Sequence, residues 1–251
     1  MLRTLTVSLF LAMTISVQAC ARDETGLSGA EIVSRAHAAA GGDAWVRPES
    51  AYMSGYGLFW SNGEGPVRHE RHEMWRVYPQ DKSNAHQADG RVRIDSWRDG
   101  EIAFQISFDG TYTYTQAGRV EDAADSDRWA SNFGFGVIRH ALDDGYSVER
   151  VADEEVGGRE VYTVIVVDPA GGRTLFAIAQ DDYAILKLGF DTPRGWHERL
   201  YSDFFTDPDT GWVQPGRVRL LYDGVKSNEV IWTEVEINAS WPVGHFQLGE
   251  N

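Results

Sequence analysis

The chain of 251 residues is poor in several things at once, and each shortage removes a class of explanation. It has one cysteine, Cys20, so no disulfide can close within the chain. A membrane-spanning helix needs ~20 apolar residues, and the mostly apolar stretch from Leu5 to Val17 falls short of that. Bases are scarce: 23 Lys and Arg stand against 38 Asp and Glu, a formal net charge of −15. A surface of that sign repels a phosphate polymer, which removes nucleic acid as a partner. The local signatures of hydrolases and nucleotide binders are missing too, since there is no G-x-S-x-G elbow and no phosphate-binding glycine loop. No linker, low-complexity tract or internal repeat interrupts the chain, so one domain accounts for it.

What is there begins with an export signal over residues 1–19. Arg3 precedes an uncharged apolar stretch that ends in small residues. Val17-Gln18-Ala19-Cys20 then is similar to the bacterial lipobox. In signals of that kind the peptidase cuts before the cysteine, whose sulfur takes a diacylglycerol and whose new amino group is acylated, commonly by a palmitate-like chain. An ordinary secretory signal with a leftover thiol is the alternative. The resemblance implies a lipidated N-terminus and tether over residues 20–27, and no other cofactor. Ala21, in place of the aspartate that favours retention at the inner membrane, points to the periplasmic face of the outer membrane. Loss of Arg3 leaves 22 bases and 38 acids, a charge of −16. Three acyl chains, at ~0.8 kcal/mol per buried methylene, would fix the protein to the membrane. A tether over 21–27 would reach only ~25 Å from it.

The mature body, residues 28–251, starts with complete helix signals. Ser28-Gly29-Ala30-Glu31 reads as a capping box, Leu27 can staple onto Ile32, and Gly41-Gly42 closes the run, so residues 29–40 are predicted helical. Thereafter the period changes to two. Strands are predicted over 51–60, 67–78, 89–98, 101–108, 111–115, 146–153, 159–167, 173–180, 184–191, 196–205, 213–222 and 226–241. Ile102, Phe104, Ile106 and Phe108 fall on one face of 101–108, the candidate cavity or core face. Asp109-Gly110 suits a tight hairpin into 111–115. One segment departs from this meander. Residues 127–142 space Trp129, Phe133, Val137 and Ala141 four apart as on a helix, weakened by Gly134 and Gly136. It is either a connecting helix or a movable lid. Thirty aromatics fit an aromatic-lined cavity or interface, and fit an all-β core equally well.

This order of parts resembles the LolA/LolB-like lipoprotein-sorting superfamily. The matching pieces are Ala40-Gly41-Gly42-Asp43-Ala44-Trp45, the segment 127–142, and Tyr201-Ser202-Asp203-Phe204 leading to Gly211-Trp212-Val213-Gln214-Pro215. The resemblance implies a mainly β fold: a strongly curved antiparallel sheet of about eleven strands, an unclosed barrel, with an N-terminal helix and a central helical lid or plug. It also implies a cavity for acyl chains. The receptor of that family exposes a leucine from an early loop, whereas Ser61 to Pro66 offers no bulky apolar residue, so a divergent lipid binder fits better than an inserter of lipoproteins.

Two stretches imitate catalytic or metal chemistry. His69-Glu70-Arg71-His72-Glu73 lacks the zinc-protease spacing. On a strand the two histidines are predicted on opposite faces, and the neighbouring Glu and Arg as charge pairs towards solvent. Asp207-Pro208-Asp209-Thr210-Gly211 lacks the distal glutamate of a calcium loop and reads as a turn. No catalytic residue and no metal site is expected. The expected function is binding of an acyl or other apolar ligand by an anchored envelope protein; the alternative is a scaffold for another envelope protein.

Overall fold

The computed structural model describes residues 26–61, 64–82, 84, 89–122 and 137–249. Helix α1 spans Gly29–Ala40. Ser28 caps it in extended conformation: its Oγ accepts from the Glu31 N–H at 3.2 Å, and its own N–H donates to the Glu31 carboxylate at 2.8 Å. Gly41, at φ +127°, stops the helix. A side chain there would meet the Gly211 carbonyl at 2.8 Å, so this glycine both ends α1 and lets it approach a later turn. A four-residue helix, α2 (Asp43–Val46), follows and sets the Trp45 ring against His37 of α1.

Fourteen strands come next: β1 (Ser50–Ser61), β2 (Glu64–Val77), β3 (Arg91–Arg98), β4 (Glu101–Phe108), β5 (Thr113–Thr115), β6 (Gly118–Arg119), β7 (Ser147–Arg150), β8 (Glu154–Val156), β9 (Arg159–Val167), β10 (Arg173–Ala179), β11 (Ile185–Thr192), β12 (Gly195–Thr206), β13 (Val213–Tyr222) and β14 (Val225–Ile237). They form one antiparallel sheet in the order β6-β5-β4-β3-β2-β1-β14-β13-β12-β11-β10-β9-β7, with β8 also on β9. The sheet is unclosed. Its first and last strands meet at the centre, and among the described residues its edges are β6 on one side and β7 with β8 on the other. Short edge strands of this kind leave little unpaired backbone to recruit another chain.

Three expectations are corrected here. The hairpin after β4 is a four-residue loop, 109–112, because the Asp109 carboxylate accepts from the amides of Thr111 and Tyr112, both at 2.8 Å, and gathers the turn around itself. The last strand ends at Ile237 rather than 241, where Asn238 adopts φ +64° and its side chain accepts from the Glu49 amide. The tail then makes a 3₁₀ turn, Val243–Phe246, against β3 and β4: Arg93 donates to the His245 carbonyl at 2.9 Å and Ser107 to that of Phe246 at 2.6 Å. Of the predicted helix 127–142, residues 127–136 lie outside the described residues. The remainder is a 3₁₀ turn, Val137–His140, rather than α-helix.

The main core gathers on β9 to β11. Ile32, Val33 and Ala36 of α1 are fully buried against Tyr162, Val164, Phe176, Ile178, Leu188 and Phe190, together with Val137, Ile138 and Ala141. Each large side chain so buried contributes ~1.5–3 kcal/mol. Val161, Ala177, Ala179 and Leu186 form a second cluster, so these strands are packed on both faces. No helix among the described residues is long and apolar enough to cross a membrane.

Candidate functional site

Beyond the main core the sheet is hollow, and Phe176, Ile185 and Leu188 of β10 and β11 stand at the boundary. The inner faces of β1 to β4 and β12 to β14, with the end of α1 and the turn at Ile138 and Arg139, border a cavity of about 790 Å³. That lies within the 300–1,000 Å³ of small-molecule sites. Most of the wall is apolar: Met53 and Phe59 of β1, Met74 of β2, Ile94 of β3, Val218 of β13, Val230 and Trp232 of β14.

The predicted site residues are distributed unevenly around this space. Phe104 and Ile106 line it. Ile102 does not: Ser96 pairs with Phe104 but Trp97 with Ile102, so Ala103 is an extra, bulged residue. One extra residue reverses the side to which everything before it points, and Ile102 is left 39% exposed. Phe108 is buried with Val92 and Ile106 but does not border the cavity. Val137 sits in the main core, and its neighbours Ile138 and Arg139 reach the cavity instead. Cys20, Trp129 and Phe133 lie outside the described residues.

A second bulge overturns the reading of the histidines. Gly55 of β1 pairs with His72 and Gly57 with His69, so two steps along β1 match three along β2. The extra residue brings His69 and His72 to the same face, and both line the cavity. Gly55 also sits where the register of β1 against β14 shifts, and any side chain there would strike the Ile231 carbonyl of β14 at 1.9 Å. The Nδ1 atoms of His69 and His72 lie 2.7 and 3.0 Å from the Ser96 hydroxyl, which can donate to one neutral ring and accept from the other. Burial, with the charge of His69, pushes the pKa of His72 down to about 4. The rings of Phe59 and Trp232 pack against the pair. Among the described residues no three of His, Cys, Asp or Glu converge as a metal site would need.

The sequence reasoning also missed the polar part of the wall. Arg76 of β2 is buried, pairs with Asp89 at 3.1 Å and lies over Tyr78. Arg139 stacks its guanidinium 4.2 Å from the Trp45 ring centre, 4.9 Å from Tyr78 and 5.0 Å from Trp212, and its Nε donates to the Trp45 carbonyl at 2.7 Å. Arg199 donates to His197 Nε2 at 3.2 Å and shares a hydrogen bond with Tyr201. Burial lowers the pKa of all three guanidinium groups and raises that of Tyr201, but arginine remains protonated. One signal for these was available: Arg199 stands in period with His197 and Tyr201, on a strand whose inner face should be apolar.

No family model and no curated protein matches the sequence. Solved structures do match in three dimensions. A LolA superfamily protein from Nitrosomonas europaea aligns with a TM-score of 0.52 at 10% identity, over 88% of this chain and 98% of its own. An outer membrane lipoprotein-sorting protein domain from Vibrio parahaemolyticus gives 0.51 at 13%, over 87% and 95%. The fold is LolA-like. A DUF1329 family protein from Desulfovibrio piger shares it, with a TM-score of 0.54 at 10% identity over 88% and 97%. In this chain the LolA-like sheet carries two glycine-dependent features at its centre, the bulges around Gly55 and the close packing of Phe59 over Gly57.

Proposed function

We propose that this protein is a lipid-anchored envelope protein that takes an acyl chain or another apolar ligand into the sheet cavity and performs no chemistry on it. The observation that carries the reading is the cavity of about 790 Å³, walled largely by Met, Ile, Val, Phe and Trp side chains, in a LolA-like sheet. Acylated Cys20 is the anchor, holding the body to the periplasmic face of the outer membrane; the lipobox-like Val17 to Cys20 supports this. The lipoprotein-sorting name of the Vibrio structure is in keeping with an acylated ligand.

Mass spectrometry of the full chain extracted from membranes tests both parts. The intact mass should correspond to loss of residues 1–19 plus acyl groups, and Cys20→Ala should abolish that addition. Solvent extraction should release a bound lipid at near one per chain, and Phe104→Asp, which puts a charge into the cavity wall, should empty it. A folded wild-type chain that carries no lipid and takes up none would overturn the cavity reading. An unacylated N-terminus would overturn the anchor.

A further inference from the structure

The charge of the cavity is opposite to that of the molecule. The chain as a whole has 38 acidic residues against 23 basic, yet the cavity wall contains four arginines, Arg76, Arg139, Arg194 and Arg199, and one carboxylate, Asp182. Asp182 already pairs with Arg159 at 2.7 Å. Arg76 has Asp89, which also pairs with Lys82. Arg139 has no ion pair with a carboxylate among the described residues. It is held instead by aromatic faces, the Trp45 carbonyl and a hydrogen bond with the Tyr78 side chain. Taking a guanidinium out of water is costly unless an anion or several acceptors meet it. A purely apolar ligand would deepen that cost, because it would displace the water such a group can still reach.

The cationic groups are also gathered rather than scattered. Tyr78 lies beneath both Arg76 and Arg139. Tyr201 is within electrostatic reach of both Arg139 and Arg199. Together they present two guanidinium forks and two phenol hydroxyls at one part of the wall, while Met53, Ile94, Phe104 and Val230 line another. Guanidinium forks match the paired oxygens of a carboxylate or phosphate.

We propose that the cavity ligand is an anionic amphiphile, with its hydrocarbon chain along the apolar wall and its carboxylate or phosphate seated on Arg139 and Arg199 beside Tyr78 and Tyr201. This rests on the cavity reading above and narrows it to a class of ligand. Its test uses the full chain in nanodiscs of zwitterionic lipid, with protein-free nanodiscs as the partition baseline. 12-Bromododecanoate, 12-bromododecanol and 12-bromododecyl-trimethylammonium quench tryptophan when they enter, and Trp45, Trp212 and Trp232 border the cavity. The carboxylate should half-quench at a concentration on the order of tenfold below the alcohol, and the cation should be weaker than the alcohol. Arg139→Gln with Arg199→Gln should bring the carboxylate to the alcohol's value and leave the alcohol unchanged, while Arg199→Lys should keep part of the preference. If the double variant fails to fold, the order of the three probes on the wild type decides. Equal binding of carboxylate and alcohol would overturn the anionic end and leave the apolar cavity standing; no quenching above baseline by any probe would overturn both. Displacement of the carboxylate by inorganic phosphate alone, with no gain from the chain, would make this a free-anion site and overturn the amphiphile.

Discussion

One half of the sheet is filled and the other borders a cavity, although both are antiparallel strands of one sheet. On β9 to β11 the inner face is closed by α1, and Val164, Val166 and Ile178 have no solvent contact. On β1 to β4 the inner face borders the cavity, and apolar residues such as Met74, Ile94 and Phe104 are only partly buried. The difference teaches where the stability resides. Packing free energy is concentrated in the half that α1 covers, and the other half is free to keep an opening because its neighbour supplies the stability.

The sharpest way to break this comparison is a pair of matched truncations. Ile178→Ala in the filled half should cost about 2–5 kcal/mol in denaturant unfolding, because its cavity cannot collapse. Ile94→Ala on the hollow side should cost about 1 kcal/mol, since its side chain already faces open space. Similar losses at both sites would mean that the hollow half is as tightly packed as the filled one.

A second test lowers the pH. In the folded chain the pKa of His72 is pushed down to about 4, against 6.5 for an unperturbed histidine. Between those values the unfolded chain binds the proton and the native chain does not, so stability present above pH 6.5 is lost as pH falls towards 4. The loss from His72 should be about 3 kcal/mol. His37 and His140, with pKa values also lowered by burial, act in the same direction from the filled half. His72→Gln should flatten the acid limb by its own share, measured as unfolding free energy against pH. An unchanged slope would show that the acid sensitivity rests with the other histidines whose pKa values burial lowers, His37 and His140 in the filled half and His69 and His245 in the hollow one.

The smallest expected effect is at the helix that covers the filled half. Ser28→Ala removes one of two reciprocal caps and should cost about 1 kcal/mol of global stability, read by thermal unfolding, with no change in ligand uptake. A change in uptake would mean that loss of the cap is felt at the far end of α1, where Ala39 and Ala40 border the cavity.

The filled half was readable because its signals are local. Ser28 and Glu31 mark the start of α1 and Gly41 its end. The strands 159–167 and 173–180 are short apolar runs bounded by turn residues, legible without knowledge of any partner strand, although their burial on both faces departs from a period of two. The hollow half was less readable because its geometry depends on pairing. Ala103 and the residues between His69 and His72 look like ordinary members of their strands, and only the register against β3 and β1 shows them to be extra. Each bulge reverses an assignment, sending Ile102 outwards and bringing the two histidines together. Arg76 and Arg199 were hidden for a different reason. A charged residue in a strand is ordinarily turned to water, and although Tyr78 and Tyr201 stand in period with Arg76 and Arg199, nothing next to either arginine in sequence announces the remote Arg139 as a neighbour.

The meeting of β1 with β14 at the centre of the sheet has a consequence for how the protein is made. Ala51 pairs with Ile237 and Phe59 with Asn228, so the central seam joins segments from opposite ends of the chain. Contacts so distant in sequence must close a very long loop, which slows folding relative to local pairings. β1 to β6 and β9 to β14 can each assemble as hairpins from local turns, but neither can be joined to the other until β14 has emerged. A chain with this wiring stays open along its middle until its end is in place, and the cavity comes into existence only with the last strand.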